Sequence, residues 1–464
     1  MTIYDAYGRV VDTSLLHTEQ AAPTMTGIRN IYSIMHPSAG LTPEKLAAVL
    51  RQAEFGDPFL YLELAEEMEE KDLHYLAVME TRKQAVAQLP INIQPASSAR
   101  EDIRIADMVS EALFGGPLDL GGALFDVLDA LGKGFSATEI VWDTSGHEWV
   151  PARLIWRDPR WFMFDWVSGE QVLVRTLTDE GQTIPFAAED GQAHMQPHLA
   201  GGRTARSAGP WNGLQPMTAP LAPFKFIVHF AKAKSGLPIR GGLARASGWS
   251  YLFKNYILKD WVTFAEVFGQ PLRLGKYSAG ATDADRQALL SAVANIGTDA
   301  AAIIPDSMLI EFTEARQNGS AELYQRFCEY LDAQVSKAVL GQTLTTDIPR
   351  GGGSRAAAQV HDAVRRDILG ADARRLAETI RRDLVKPIVD LNTGPQRHYP
   401  NVQLALPSDR DDKAFADMIA ELADRGLRVG QRMILDRLGL PEAGAGEAVL
   451  TPAEVNGRRA ADEA

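Results

Sequence analysis

Between residues 321 and 392 the chain keeps a helical pattern, except where GQTLTTDIPRGGGSR at 341–355 interrupts it with polar residues and three consecutive glycines. Each glycine inside a helix costs about 1 kcal/mol relative to Ala. One unbroken helix is therefore excluded. The pattern predicts a long helix over about Ala321–Leu340, a polar loop, and a longer helix over about Ser354–Asn392, with Gly370 as a candidate bend. A third long helix, GLARASGWSYLFKNYILKDWVTFAEVF, runs from 242 and ends at Gly269. Its aromatic residues Trp249, Tyr251, Phe253, Tyr256, Trp261, Phe264 and Phe268 occupy more than one face. Such a helix needs cover on several sides, supplied by neighbouring subunits or by the core of a monomer. Between these helices lies a compact insert. PLRLGKYS reads as a strand, DADRQALLSAVANI as a helix behind a Thr282/Asp283 cap, and AAIIPDSMLIEFTEA as strand material.

Upstream, residues 1–40 lack periodicity and are expected to be ordered only against a neighbour. Thr42 caps a helix that has Pro43 at its first position. The run PFLYLELAEEMEEKDLHYLAVMETRKQAVAQL reads as helical up to Pro90, and INIQP alternates as a strand. ATEIVWDTSGHEWVPARLIW carries a hairpin signature around TSGH, and DPRWFMFDWVSGEQVLVRTL a second around Ser168-Gly169. Residues 178–220 read as loop before the strand FKFIVHF. Near the C-terminus VQLAL reads as a strand, followed by two helices, DDKAFADMIAELADRG and RVGQRMILDRLG, and a mobile tail. The chain thus reads as α+β.

The 464 residues are 45% hydrophobic and 23% charged, enough for a large buried core, and the formal net charge of −13 argues against a generic nucleic-acid coat. The lone Cys328 rules out a disulfide within one chain and fits a reducing compartment. Its helical neighbours Tyr324 and Leu331 give it the role of a small apolar filler. No signal peptide and no run of about 18 apolar residues is present, so an intracellularly made protein with no membrane span is expected.

A search for chemistry returns little. A P-loop needs GxxxxGK[ST], but Ser354 and Arg355 follow the glycines at 351–353. The stretch from Gly269 to Gly275-Lys276-Tyr277 and GKGFS at 132–136 miss as well. HMQPH spaces His194 and His198 four apart, but Pro197 lies between them and Met195 stands where a metalloprotease base belongs. There is no GxSxG elbow, and no cofactor is implied. Three arginine doublets, 365/366, 374/375 and 381/382, are interleaved with Asp362, Asp367, Asp372, Glu378 and Asp383. That spacing favours ion-pair lacing over a DNA-binding stripe. LADRGLRVGQRMILDRLGLP resembles a helix-turn-helix only superficially and reads as two packed helices.

The order of helix, α/β insert, helix, polar loop and longer helix resembles a tailed-phage portal protein of the Mu-like branch. The resemblance is carried by VLGQTLTTD at 339–347, GGSRAAAQVHDAVRRDIL at 352–369 and DARRLAETIRRDLVKPIVDLN at 372–392. ETRKQAVAQLPINIQP, LFKNYILKDWVTFAEVFGQPLRLGKY and RLGLPEAGAGEAVL fit the same family. It spans roughly residues 40–450. It implies a portal fold assembling as a ring, usually of twelve subunits, at one capsid vertex. After an N-terminal arm (1–40), residues 41–241 and 355–407 are the implied wing, 242–268 and 319–341 the stem helices, and 269–318 the clip. The tunnel loop is 342–354, the crown 408–440 and the tail 441–464.

In this scheme Gln342, Thr343, Thr345, Arg350 and Arg355 face the DNA, and Gly351, Gly352 and Gly353 are the hinge. Lys254, Lys259 and Lys276 are candidate lumenal cations, and Trp249, Tyr256, Trp261 and Phe264 pack subunits together. An acidic subunit with few lumenal cations suits a duplex that must slide, because each neutralised phosphate strengthens binding. The implied partners are double-stranded DNA, the terminase large subunit, head–tail connector proteins, the major capsid protein and a scaffold where one exists. The implied location is the virion. Two rival readings stay open on the residues: a cytosolic α/β enzyme with a glycine-rich lid, and a phage head adaptor or scaffold that never contacts DNA.

Overall fold

The computed structural model describes residues 3–23, 37–146, 148–176, 217–268, 273–278, 280–295, 301–305, 321–343, 355–406, 412–426 and 434. The chain divides into two compact units, Met1–Ala405 and Leu406–Ala464. The first unit begins with α1 (Pro43–Glu54), whose Thr42 cap accepts from the Lys45 N–H, as the sequence predicts. The run expected as one helix is two, α2 (Phe59–Lys71) and α3 (Leu73–Ala87). Asp72 separates them because its carboxylate accepts from the N–H groups of His74 and Tyr75, which caps a new helix.

After β1 (Ile91–Gln94) come α4 (Arg100–Phe114), α5 (Leu120–Val127) and α6 (Ala130–Lys133). The two predicted hairpins follow: β2 (Phe135–Asp143) with β3 (Val150–Arg157), and β4 (Phe162–Phe164) with β5 (Val172–Thr176). β6 (Met217–Pro220) adds to the second sheet and β7 (Phe226–Phe230) to the first, both antiparallel. The end of the segment read as loop is therefore strand. The first sheet has the order β3–β2–β7, and β2 is its centre, with Phe135, Ala137 and Ile140 wholly buried.

The long helices follow. α7 (Leu243–Phe268) leads to β8 (Arg273–Tyr277), α8 (Asp283–Asn295) and β9 (Ala301–Pro305), and α9 (Ala321–Leu340) returns. β8 and β9 pair in parallel, as a strand–helix–strand unit requires. Thr282 and Asp285 close a reciprocal capping box at the start of α8. Next come α10 (Arg355–Ile380), a wide π turn over Arg381–Val385, and α11 (Lys386–Thr393). The irregularity in this helix falls there and not at Gly370, which sits inside continuous α10. Pro387 has no N–H to give the fourth carbonyl back, and the widened turn just ahead of it absorbs the mismatch. β10 (Asn401–Leu404) pairs antiparallel with β1. In the second unit α12 (Asp412–Asp424) is the described helix. The helix expected next, RVGQRMILDRLG, lies outside the described residues apart from Ile434.

The N-terminal arm departs from expectation, because its first part is held by its own chain. Glu139, buried in the middle of β2, accepts from the N–H groups of Gln20 and Ala21 and from the Arg157 guanidinium at 2.8 Å. The Lys225 ammonium donates to the Leu16 carbonyl at 2.8 Å, and Leu16 is 1% exposed. A buried carboxylate that needs donors thus tethers a segment with no periodicity of its own. Burial is also answered by pairing beside the sheet. Lys133 bridges Asp129 and Glu66, and the carboxylates around it overcome the effect of burial and hold it charged.

Candidate functional site

The polar loop at 342–354 is the segment the sequence singles out, and the structure shows how its exit from α9 is held. α7 and α9 lie side by side and antiparallel. Trp261 stacks on Tyr324 with ring centroids 6.3 Å apart, and Phe264 meets the same ring at 5.6 Å. Further along, the Lys254 ammonium reaches Asp332 of α9 at 2.6 Å and the capping carboxylate of Asp72 at 2.9 Å. Burial alone would lower the Lys254 pKa, but Asp332 and Asp72 outweigh it and raise it. Closer still to the loop, the His74 ring lies 2.7 Å from the Ser336 hydroxyl.

The anchor itself is Arg82 on α3. Its guanidinium grips Asp372 of α10 with two donors, at 2.8 and 3.2 Å, and donates with a third to the Val339 carbonyl at 2.6 Å. Val339 is in the last turn of α9, where carbonyls have no helical partner. One side chain therefore satisfies the helix that leaves for the loop and pairs with the helix that returns from it. Asp372 is only 2% exposed, so the pair is nearly dry. Gly341 completes the exit. At φ +71° it donates its N–H to Lys337, and a Cβ there would lie 2.8 Å from both Val364 and Ile368 of α10.

Several expectations change on this geometry. Gln342, expected to face the DNA, is 2% exposed within the subunit. Lys254 spends its charge inside the subunit. Trp261 and Phe264 pack against Tyr324 of their own chain, while Trp249 and Tyr256 remain 37% and 39% exposed, Tyr256 donating its hydroxyl to the Leu41 carbonyl. Lys259 is exposed on α7 and Thr343 is half-buried. Lys276 lies on β8 and Arg355 opens α10, but their side chains are outside the described residues, as are Thr345, Arg350 and the three glycines. Arg365 and Arg366 are laced to Asp362 and Arg375 to Asp372 as the spacing predicts, while Arg382 pairs with the adjacent Asp383 and Arg374 donates to the Gly370 carbonyl.

Burial pushes the pKa of the half-buried Cys328 thiol up. No group of residues able to hold a metal occurs among the described residues, and His194 and His198 lie outside them. Among the described residues no helix is long and apolar enough to cross a membrane. Arg82 and His74 carry no signal in the sequence, and Asp372 reads there only as a carboxylate among the arginine doublets. Their partners are distant in the chain, so no local spacing signals them. Asp72 was findable, as an Asp followed by an apolar helical run.

A family model described as the portal protein of Mu bacteriophage matches residues 62–440. The chain is similar to the Mu-like prophage FluMu protein gp29 of Haemophilus influenzae, with 37% identity over 421 residues, covering 89% of this chain and 74% of that protein. It is also similar to the portal protein of Escherichia phage Mu, with 33% identity over 420 residues, covering 90% and 74% respectively.

Proposed function

The chain belongs to the Mu phage portal protein family, a structural and non-enzymatic component of the phage particle, and from that premise we propose that it forms a dodecameric ring at one capsid vertex. The ring is the conduit for double-stranded DNA during packaging and ejection. It docks the terminase large subunit and later the head–tail connector proteins, and it contacts the major capsid protein and any scaffold. Residues 41–241 and 355–407 form the wing, α7 and α9 the stem, and 269–318 the clip. Residues 342–354 are the tunnel loop and 408–440 the crown, with 1–40 as arm and 441–464 as tail.

The observation that best supports this reading is the antiparallel α7/α9 pair, with a parallel strand–helix–strand unit at one end and, at the other, an exit into the polar loop that Arg82 ties to α10. A stem presents just such a pair to its neighbours, and Phe253, Leu258 and Val262 of α7 are 41%, 41% and 59% exposed. Apolar surface of that kind on one long helix calls for cover by another chain. Arg350 and Arg355 at the loop's end meet phosphates from several subunits at once, while Thr343 and Thr345 offer hydrogen bonds without charge. Mass photometry and negative-stain imaging of the purified chain test the proposal. Rings with a central hole, at many times 50.7 kDa, are expected. A monomer at every protein concentration, also in the presence of capsid protein and scaffold, overturns it.

A further inference from the structure

A groove of about 720 Å³ opens where α1, α3, α7, α9 and α10 meet. In a chain of net charge −13 its lining is unusual, with six cationic side chains and one carboxylate, Asp372. Arg240 and Arg245 are turned toward Glu54 just outside, and Arg82 and Arg375 toward Asp372. Lys232 and Lys234 are exposed on the rim, and no described carboxylate pairs with them. The floor is apolar, with Leu243 and the half-covered Trp249. A phosphate backbone would use the cations and leave the floor bare. A peptide surface carrying both carboxylates and apolar side chains would use both.

The same chain presents such a surface elsewhere. The inner face of α4 is buried through Ile105, Val109 and Leu113. Its outer face carries Ile103, Asp107, Glu111 and Phe114, at offsets of four, eight and eleven residues, which fall within one stripe of a helix. Ile103 and Phe114 are 42% and 50% exposed, and no described cation pairs with Asp107 or Glu111. The main packing partners of α4 are β1, β3 and α11, none of which lines the groove. One chain therefore carries both halves of a contact, on different elements.

We propose that the basic groove receives the outer face of α4 from a second copy of this chain, so that Lys232 and Lys234 meet Asp107 and Glu111 while Trp249 and Leu243 cover Ile103 and Phe114. The contact is head-to-tail, and such contacts close into a ring when the rotation between copies permits. The inference rests on the ring reading and adds which surfaces of the subunit make the ring.

Reciprocal charge reversal tests it. One variant carries Lys232→Glu and Lys234→Glu, the other Asp107→Lys and Glu111→Lys, and assembly is followed by mass photometry across protein and salt concentrations. Each variant alone places like charges together and is expected to need at least about tenfold more protein to assemble. An equimolar mixture restores assembly, because each reversed surface then meets its complement, and that recovery also shows that both variants fold. Wild-type assembly by either variant alone overturns the proposal and leaves the ring reading intact. Circular dichroism like that of wild type without rescue in the mixture does the same. So does a groove variant that forms rings normally but loses retention of a labelled DNA duplex, since the groove would then serve phosphates. A wild-type chain that never assembles removes the ring reading and this inference together.

Discussion

Replacing Arg82 by Ala isolates the contribution of the loop anchor. The substitution leaves Asp372, 2% exposed, without its bidentate partner, and removes the donor to the Val339 carbonyl. Removing one partner of a buried ion pair costs about 3–5 kcal/mol. The Arg82 side chain is 15% exposed, and water reaching the vacated space lessens the penalty, so we take the lower end, about 3 kcal/mol. A chain of this size does not unfold as one two-state unit, so the effect is best read locally. The Gly341 amide donates to Lys337 in the turn that Arg82 secures. If that turn opens about 3 kcal/mol more easily, its amide exchanges with solvent about 100-fold faster, while amides of β2 keep wild-type rates. The double variant Arg82→Ala with Asp372→Ala removes the orphaned charge as well, and costs less than the sum of the singles by about 2 kcal/mol. An increase in exchange below about fivefold, or strict additivity of the two substitutions, refutes the claim that this pair holds the loop's base.

Four further outcomes are expected. Gly341→Ala places a side chain at φ +71° against Val364 and Ile368, and lowers stability by about 1–2 kcal/mol plus the shift those side chains must make, read as a lower melting temperature. His229 is buried, and burial together with Arg382 and Arg375 lowers its pKa to about 4, so the folded chain resists protonating it. The unfolded chain takes up that proton near pH 6.5, so the contribution is complete above that pH and is lost as pH falls toward 4, on the order of 3 kcal/mol in all. His229→Gln flattens that part of the pH–stability curve. Glu139→Ala releases the segment around Gln20 and Ala21, and a protease then cuts within residues 3–23 well before the wild type is touched. Arg350→Ala with Arg355→Ala leaves ring formation unchanged and alters DNA packaging, and unaltered packaging counts against contact between the loop and the duplex.

The elements easiest to read were those whose pattern is local. Three long helices, two hairpins and the strand–helix–strand insert all announce themselves through periodicity, turn residues and caps, and all are present. Failures came where distant partners decide. Nothing near Leu16 or Ala21 signals that Glu139 and Lys225, more than a hundred residues on, give the arm its order. The aromatic stripe of α7 was legible as needing cover, but Trp261 and Phe264 find it in Tyr324 of the same chain. Composition exposed the acidic balance yet hid the basic groove, because Lys232, Arg245 and Arg375 are brought together from separate segments.

The loop illustrates how one residue type takes opposite roles within twelve positions. Gly341 is fixed: its left-handed backbone ends α9, its amide is bonded, and a side chain there would press on Val364 and Ile368 of α10. Gly351, Gly352 and Gly353 precede α10 with no such constraint visible in the sequence, and glycine there widens the set of backbone states. Arg82 binds the carbonyl at the exit of α9 and a carboxylate well inside α10, so one side chain ties the loop's exit to the body of the return helix. The same helix α3 meets α9 through His74 and, through its capping Asp72, the Lys254 ammonium of α7.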